Sequence, residues 1–237
     1  MGTEPVKVLN SQLRSVPLFS GLTDDMLSAV SQVCSVASFE RNSVIFEERD
    51  DGTSLFIMLS GMVKVSLVRG DGKEAILALL KPGEFFGEMA LLDNRPRSAS
   101  VIAMKPTTVV MLARDDFMGL IKERPQIMKN MIHAVAGRLR KANQKIANLA
   151  FLDAIGRVSD AICQIAEDSG EEVDEGILVR NRISHEQLGN IAATTRETVT
   201  HCLATLEKRG YVLSSGRDLL IFSIDDLRRD FVSPAGH

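Results

Sequence analysis

Residues 83–92 read GEFFGEMALL and residues 97–99 read RSA, and these two stretches are the most specific features of the chain. Gly87 permits a close backbone approach, and backbone amides in such a turn can form an anion-binding concavity. Arg97 adds a permanent positive charge with two parallel donors, and Ser98 adds a hydroxyl donor. Ionised Glu88 only accepts hydrogen bonds, which suits a sugar hydroxyl. Together these residue types indicate a pocket for a ribose and a phosphate.

Short apolar runs surround these stretches between about Ser38 and Leu112. Strands this short, separated by turn residues, are typical of an all-β sandwich or a barrel-like roll. Gly70-Asp71-Gly72 between two of the runs indicates a hairpin. Before them, Pro17 to Val36 reads as short helices, with Thr23 capping the segment Asp24–Val33. The predicted strands are Ser43–Glu47, Leu55–Leu59, Met62–Leu67, Ala75–Leu80, Ser98–Ala103 and Thr107–Leu112.

A change of hydrophobic period after about residue 127 predicts a long helix. Apolar residues alternate there in steps of four and three, which is the seam pattern of a coiled coil. One small β domain cannot bury such a stripe fully, so we expect the same helix of a second subunit to cover it. The alternative is that the stripe packs on the β domain of its own chain. The seam residues are Met128, Ile132, Val135, Leu139, Ala142, Ile146 and Leu149.

The last third of the chain contains two capped helices. Ser184 stands three residues before Gln187, which is a capping box, and the Thr194–Glu197 segment repeats the pattern. Helices that start about ten residues apart indicate a helix-turn-helix, whose second helix enters the major groove of DNA. A helix at Ala154–Glu167 and a solvated loop at Asp168–Gly176 are predicted upstream. Downstream, Tyr211–Leu213 and Leu219–Phe222 flank Ser215-Gly216-Arg217 as a wing.

The candidate DNA-binding side chains lie mostly on the outward, N-terminal side of the second helix. Arginine can bind guanine with two hydrogen bonds, and glutamate can accept one from cytosine. Arg180 and Arg182 precede the motif and are placed to meet phosphates. The net charge of −3 does not indicate nucleic-acid binding, so this prediction rests on the motif. The candidates are Arg182, Thr195, Arg196, Glu197, Thr200 and His201.

With these motifs, the chain resembles the bacterial regulator family of the cyclic-AMP receptor protein and the fumarate-nitrate regulator. The likeness runs from about Leu18 to Phe222, and includes NLAFLD at residues 148–153 and RETV at residues 196–199. It implies an α+β fold in three parts. These are a cyclic-nucleotide-binding, jelly-roll-like β-roll over residues 1–126, a dimerisation helix over 127–152, and a winged helix-turn-helix DNA-binding domain over 153–237.

The resemblance also implies the ligand, its contacts and the partners. A cyclic nucleotide, cyclic AMP or cyclic GMP, would bind with its ribose on Glu88 and its phosphate on Arg97 and Ser98. The hinge near Phe151–Asp153 would couple the ligand to DNA binding. The implied partners are a second copy of the chain, double-stranded DNA with a near-palindromic site, and RNA polymerase. The implied ligand contacts are Gly87, Glu88, Met89, Ala90, Arg97, Ser98, Ala99 and Asn143.

Some positions depart from the family pattern. Ala142 and Asn143 stand where the cyclic-AMP receptor protein has a Thr-Ser pair that contacts adenine, so the identity of the nucleotide stays open. His201 replaces a second base-reading arginine, and Ala193 replaces the usual turn glycine, which suggests a slightly altered turn. Two alternatives remain. One is a regulator of the same fold that responds to a cyclic dinucleotide or to no ligand; the other, disfavoured by the wing, is a regulatory module of an enzyme or channel.

Composition argues against several other classes. No apolar run approaches the roughly 20 residues that span a bilayer, and we expect no secretory signal and no membrane partner. Cys34, Cys163 and Cys202 are far apart, which fits a reducing cytoplasm and no disulfide or iron–sulfur centre. No nucleophile–base pair, metal cluster or Walker sequence is visible, so we expect neither an enzyme nor a metal site. His133 in the long helix leaves haem ligation open.

Overall fold

The structure is a computed structural model that describes residues 3–180, 184–216 and 218–233. The chain divides into two compact units, Met1–Leu139 and Arg140–His237. Both mix helices with antiparallel sheet, so the predicted α+β class is confirmed. Within the described ranges, no helix is long and apolar enough to cross a membrane.

Two antiparallel sheets form the predicted β-roll in the first unit. Its strands are β1 (Cys34–Phe39), β2 (Val44–Phe46), β3 (Ser54–Ser60), β4 (Val63–Val68), β5 (Glu74–Leu80), β6 (Phe85–Phe86), β7 (Ser100–Ala103) and β8 (Thr107–Ala113). One sheet has the order β1-β8-β3-β6 and the other the order β2-β7-β4-β5. The predicted hairpin joins β4 to β5, where the Arg69 amide donates to the Lys73 carbonyl at 2.9 Å and Gly72 has a φ of +81°.

Helices cover one end of this roll. They are α1 (Thr3–Arg14), a short 3₁₀ turn (Pro17–Phe19), α2 (Asp24–Gln32), α3 (Glu88–Asp93), α4 (Arg114–Glu123) and α5 (Pro125–Phe151). Thr23 caps α2 as predicted, because its hydroxyl accepts from the Met26 amide at 3.4 Å. The predicted helical segment ends too late, however. Residues from Cys34 onward form β1, which pairs with β8 from Cys34↔Leu112 to Phe39↔Thr107. This long-range pairing satisfies backbone groups of β8 and is not encoded locally.

The long helix α5 was predicted from its heptads, and at 27 residues it is about 40 Å long. Its start is anchored to the roll unit, because Ile127 and Met131 are fully buried in the core with Phe117. Asn130 also donates to the carbonyl of Leu18 at 3.0 Å. A different face of α5 carries the predicted seam, and this face is open. Ile132 is 58% exposed, Leu139 61% and Ile146 65%. The seam therefore does not pack on the roll of its own chain.

The second unit is the predicted winged helix-turn-helix. Its elements are α6 (Ala154–Ser169), β9 (Glu171–Val173), β10 (Gly176–Val179), α7 (His185–Ala192), α8 (Arg196–Lys208), β11 (Val212–Ser215), β12 (Asp218–Ile221) and α9 (Ile224–Phe231). The sheet order is β11-β12-β10-β9. The predicted solvated loop at Asp168–Gly176 is wrong in part, because β9 pairs with β10 through Gly176↔Val173 and Leu178↔Glu171. Acidic side chains at an exposed sheet edge do not prevent backbone pairing.

Candidate functional site

Arg97 lies at the centre of the first candidate site, and only 5% of it is exposed. Its Nη1 donates to the Gly87 carbonyl at 2.8 Å, and its Nη2 donates to the Ser54 carbonyl at 2.9 Å. The Cζ atom lies 4.2 Å from the centre of the Phe46 ring, so one face of the guanidinium is covered by an aromatic side chain. The carbonyls and the ring hold the charge in one position.

The positive charge of Arg97 is incompletely paired. Its buried Nε has no hydrogen-bond partner, and no carboxylate in the described parts of the chain forms an ion pair with it. Burial lowers the pKa of Arg97, an effect that the negative charges of Asp50 and Glu88 oppose. A buried charge costs free energy unless it is paired and hydrogen-bonded. The arrangement therefore favours binding of an anion beside Arg97.

Glu88 is the second charged group of this site, with a side chain that is 7% exposed. Arg138 on α5 donates through Nη1 to Glu88 Oε1 at 2.9 Å and through Nη2 to the Phe85 carbonyl. The cation favours the ionised form of the carboxylate, which then only accepts hydrogen bonds. The second carboxylate oxygen suits a hydroxyl group of a ligand.

Glycine is required where the backbone passes Arg97. Gly87 has a φ of +82° and precedes α3; a Cβ at this position would lie 2.5 Å from Nη1 of Arg97. A Cβ at Gly52 would lie 2.1 Å from Cβ of Ala90. The two close approaches bring β3, α3 and the Arg97 segment together, so a larger side chain at either glycine would push them apart.

The other predicted ligand contacts of the roll surround this centre. Ser98 is exposed, and its hydroxyl donates to Sδ of Met89 at 3.5 Å, so both side chains border the site. Ala90 and Ala99 are buried at 3% and 5% exposure. Asn143 is exposed on α5 in the second compact unit. Its contact with a nucleotide base stays a prediction. His133 is also exposed on α5, and haem ligation by this residue is likewise untested.

The second candidate site is the helix-turn-helix. Ser184 and Gln187 form the predicted capping box of α7. The predicted cap of α8 is displaced by one residue: Thr195, and not Thr194, accepts from the Thr198 amide at 3.2 Å. The third helical residue is therefore Thr198, and Glu197 closes no capping box. Either threonine fits the N-cap chemically, and the turn geometry selects the second.

The predicted reading residues share the exposed face of α8, namely Thr195, Arg196, Glu197, Thr200 and His201. The Glu197 carboxylate accepts from its own amide and from the Thr195 hydroxyl, which lowers the pKa of this exposed group. Thr200 is engaged within the protein. Its hydroxyl donates to the Arg196 carbonyl at 3.0 Å and lies 2.9 Å from Nδ1 of His185. Arg196 and His201 are the more available readers.

The arginines before the motif differ from one another in status. Arg180 is exposed, and its Nε donates to Glu171 at 2.9 Å across the β9–β10 hairpin. Arg182 lies outside the described residues. The expected phosphate contacts of both arginines stay predictions.

The turn between α7 and α8 contains a strained residue. Ala193 has φ 50° and ψ 51°, and the Thr194 amide donates to the Gly189 carbonyl at 2.9 Å. Glycine adopts this left-handed conformation at lower cost than alanine. The Ala193 departure noted in the sequence therefore places steric strain in the turn.

Arg157 connects two backbone segments of the second unit. Its Nη1 donates to the Leu152 carbonyl in the predicted hinge at 2.8 Å, and its Nε donates to the Ala192 carbonyl at the end of α7 at 3.0 Å. Asp153 caps α6 by accepting from the Gly156 amide at 2.9 Å. The hinge is thus bonded directly to the helix-turn-helix.

Sequence reasoning missed Arg138 and Arg157. Arg138 could have been found, because Ile127, Met131 and Ala134 trace one face of α5 and Arg138 continues it in steps of four and three. A charged residue on the otherwise buried face of a helix requires a partner. Arg157 has no comparable pattern, since its acceptors are backbone carbonyls that come close only in the folded unit.

Comparison with known proteins agrees with both sites. Residues 36–124 match the family model of the cyclic nucleotide-binding domain, and residues 156–230 match that of the Crp-like helix-turn-helix domain. The CRP-like cAMP-activated global transcriptional regulator of Mycobacterium tuberculosis is 30% identical over 212 residues, which cover 90% of this chain and 95% of that protein. The chain belongs to the CRP/FNR family of transcription regulators.

Other CRP/FNR proteins support the assignment. The cyclic AMP receptor protein of Thermus thermophilus is 34% identical over 200 residues, covering 84% of this chain and 89% of that protein. The structure of the global regulator CLP of Xanthomonas campestris, described as c-di-GMP responsive, has a TM-score of 0.75 at 19% identity. It covers 85% of this chain and 100% of CLP, and it bears on the fold alone. The predictions of a DNA-binding regulator with a cyclic nucleotide-binding domain, and of no enzyme, are confirmed.

Proposed function

We propose that this CRP/FNR regulator is a homodimer that binds a cyclic nucleotide and thereby changes its affinity for a near-palindromic DNA site. Buried Arg97, with its unpaired Nε and no contacting carboxylate, is the observation that carries the ligand proposal. A cyclic phosphate carries one negative charge, so it would neutralise the guanidinium where few other groups can reach it.

The remaining contacts follow from donor and acceptor chemistry. The phosphate accepts from Arg97, from the Ser98 hydroxyl and from the backbone between Gly87 and Ala99, with Met89 and Ala90 beside it. Glu88, held by Arg138 at 2.9 Å, accepts from the ribose 2′-hydroxyl. Asn143 contributes the base contact. Cyclic AMP, named for both curated relatives, is the first candidate, and cyclic GMP is the second.

The dimer proposal rests on the open face of α5. Ile132, Leu139 and Ile146 are more than half exposed, and the heptad spacing makes two copies of this face self-complementary. Leu139→Glu would bury a charge at the seam, at a cost of several kcal/mol. We expect sedimentation to give twice the 25.9 kDa chain mass for the wild type and one chain mass for the variant. Lys141→Glu, off the seam, is the matched control; a dimeric Leu139→Glu would contradict the proposed seam.

DNA binding would place the two α8 helices in successive major grooves about 34 Å apart. Arg196 and Glu197 would read base edges with Thr195, Thr200 and His201, while Arg182 would meet phosphate. A regulator bound at a promoter acts on RNA polymerase, which is the other proposed partner. The cytoplasm, which holds both partners, is the proposed location. The boundaries at residues 126 and 152 between roll, dimer helix and DNA-binding domain belong to the same proposal.

The decisive experiment measures DNA affinity with and without ligand. A nucleotide that binds two arrangements of the dimer differently shifts their populations by that difference. We expect saturating cyclic AMP or cyclic GMP to change the DNA dissociation constant about 5–150-fold, the usual range of allosteric coupling. Fluorescence anisotropy of a labelled site reports the change, and adenosine 5′-monophosphate is the matched control ligand.

Two other outcomes have distinct meanings. A response to cyclic di-GMP alone would show a same-fold regulator with a different ligand. Equal DNA affinity with every cyclic nucleotide would show a regulator that acts without one, and would overturn the sensing part of the proposal.

A further inference from the structure

Arg114, the first residue of α4, bonds to the C-terminal end of α3, whose first residue is Glu88. We propose that Arg114 is a positioning residue for the nucleotide: it holds α3 so that Glu88 meets the ribose. The inference rests on the proposed function, because it concerns the same pocket. Arg114 itself is not among the residues placed in contact with the ligand.

The contacts of Arg114 are directed almost entirely at α3. Its Nη1 donates to Oδ1 of Asn94 at 2.5 Å, and its Nη2 donates to the carbonyl of Ala90. Its own amide donates to the Thr53 carbonyl at 2.9 Å, beside the strand that carries Ser54. No carboxylate in the described ranges forms an ion pair with Arg114. The guanidinium is therefore committed to the end of α3.

A helix as short as α3 needs such a partner. It has six residues, and Asn94 ends it in a left-handed conformation at φ +58°. The last carbonyls of a helix have no acceptor role within it, so a cationic side chain near them stabilises the end. The Ala90 carbonyl belongs to the same turn as Glu88. A shift of this carbonyl would move Glu88 with it.

Three arginines from three elements hold this segment. Arg97 bonds to the Gly87 carbonyl at 2.8 Å, Arg138 bonds to Glu88 at 2.9 Å, and Arg114 bonds to the opposite end of α3. Arg97 would also serve the phosphate directly, whereas Arg114 reaches the ligand only through α3. Loss of Arg114 should therefore weaken recognition of the ribose more than recognition of the phosphate, since Glu88 is the group whose position it sets.

The test compares cyclic AMP with 2′-deoxy cyclic AMP by calorimetric titration. The wild type is expected to prefer the ribonucleotide, because Glu88 accepts from its 2′-hydroxyl. In Arg114→Gln this preference should fall by about tenfold or more, toward equal affinity for the two ligands. Arg114→Lys should restore part of it, because lysine keeps the charge without the two-pronged geometry. Arg95→Gln, which removes an exposed arginine from the same loop, should keep the wild-type preference.

Asn94→Gly provides a second variant in case Arg114→Gln folds poorly. Glycine keeps the left-handed backbone and removes only the Oδ1 acceptor, so a smaller fall in the preference is expected. An unchanged ribose preference in Arg114→Gln and in Asn94→Gly, whatever happens to overall affinity, overturns the positioning role. Failure of the wild type to bind either cyclic nucleotide overturns the proposed function and this inference together.

Discussion

The roll pocket and the DNA-binding face both use an arginine and a glutamate, but in opposite environments. Arg97 and Glu88 are each 5% exposed, and the protein holds both through directed hydrogen bonds. Arg196 and Glu197 are exposed on α8. Buried groups are preorganised for one small ligand, which lowers the entropic cost of binding it. Exposed groups stay hydrated until DNA arrives, and they contribute mainly to the choice of sequence.

The largest expected effect breaks the buried half of this comparison. Arg97→Leu removes the charge-assisted bonds to the phosphate, so the dissociation constant for cyclic AMP should rise about 100-fold or more in calorimetric titration. The free energy of unfolding without ligand should change by no more than about 1 kcal/mol, because relief of a buried charge offsets the two lost carbonyl bonds. Arg69→Leu, on the exposed β4–β5 hairpin, is the control. Wild-type affinity in Arg97→Leu would place the phosphate elsewhere.

The second prediction tests the exposed half. Arg196→Ala should weaken binding to the specific DNA site by about 1–3 kcal/mol, or about 5–150-fold, and relax selectivity at one base pair. Stability should stay within about 0.5 kcal/mol of wild type, because Arg196 lies at the surface. Anisotropy titrations on specific and random DNA measure the difference. Lys208→Ala, at the other end of α8, is the control, and equal losses on both DNAs would refute base reading by Arg196.

A smaller effect is expected at the turn that orients α8. Ala193→Gly relieves the left-handed strain of about 1 kcal/mol or more, but glycine also gains freedom in the unfolded chain. The net stabilisation should be about 0.5–1 kcal/mol by urea unfolding. Ala204→Gly, in the ordinary helical part of α8, should destabilise instead. Destabilisation by both substitutions would show that Ala193 bears no strain.

The smallest expected effect depends on pH and lies in the second unit. Asp160 accepts from Asn148 at 2.9 Å and from Gln164 at 2.5 Å, yet burial raises its pKa. The charged form is thus less favourable in the folded state, so stability contributed by the neutral form is complete below the unfolded pKa near 3.9 and is lost as pH rises through the folded pKa.

Asp160→Asn removes this loss. The variant should therefore gain stability relative to wild type as pH rises from about 4 to 7, by under about 1 kcal/mol, since the carboxylate is partly exposed and solvent screens it. Urea unfolding across this range gives the difference. Asp174→Asn, on the exposed β9–β10 turn, is the control. A gain confined to low pH would reverse the assigned direction.

The two sites also differed in how far the sequence predicted them. The reading residues of α8 followed from caps and helical spacing, and the structure placed all five described candidates on one exposed face. The pocket residues followed from their chemistry, but the groups that hold them did not. Phe46, Arg114 and Arg138 come from elements far apart along the chain. Their contacts arise only when β2, α4 and α5 meet around α3.

The sequence by itself determined the elements whose cause is local: roll strands bounded by turn residues, the heptads of α5, the capping box of α7 and the wing hairpin. Tertiary structure alone decided that Cys34–Phe39 is a strand on β8, that Glu171–Val173 pairs with β10, and that Thr195 rather than Thr194 caps α8. It also decided that Arg97 is buried with an unpaired nitrogen. The physical reason is the same in each case. Periodicity and caps act within a few residues, whereas strand pairing and burial of charge depend on groups that folding brings together from distant positions.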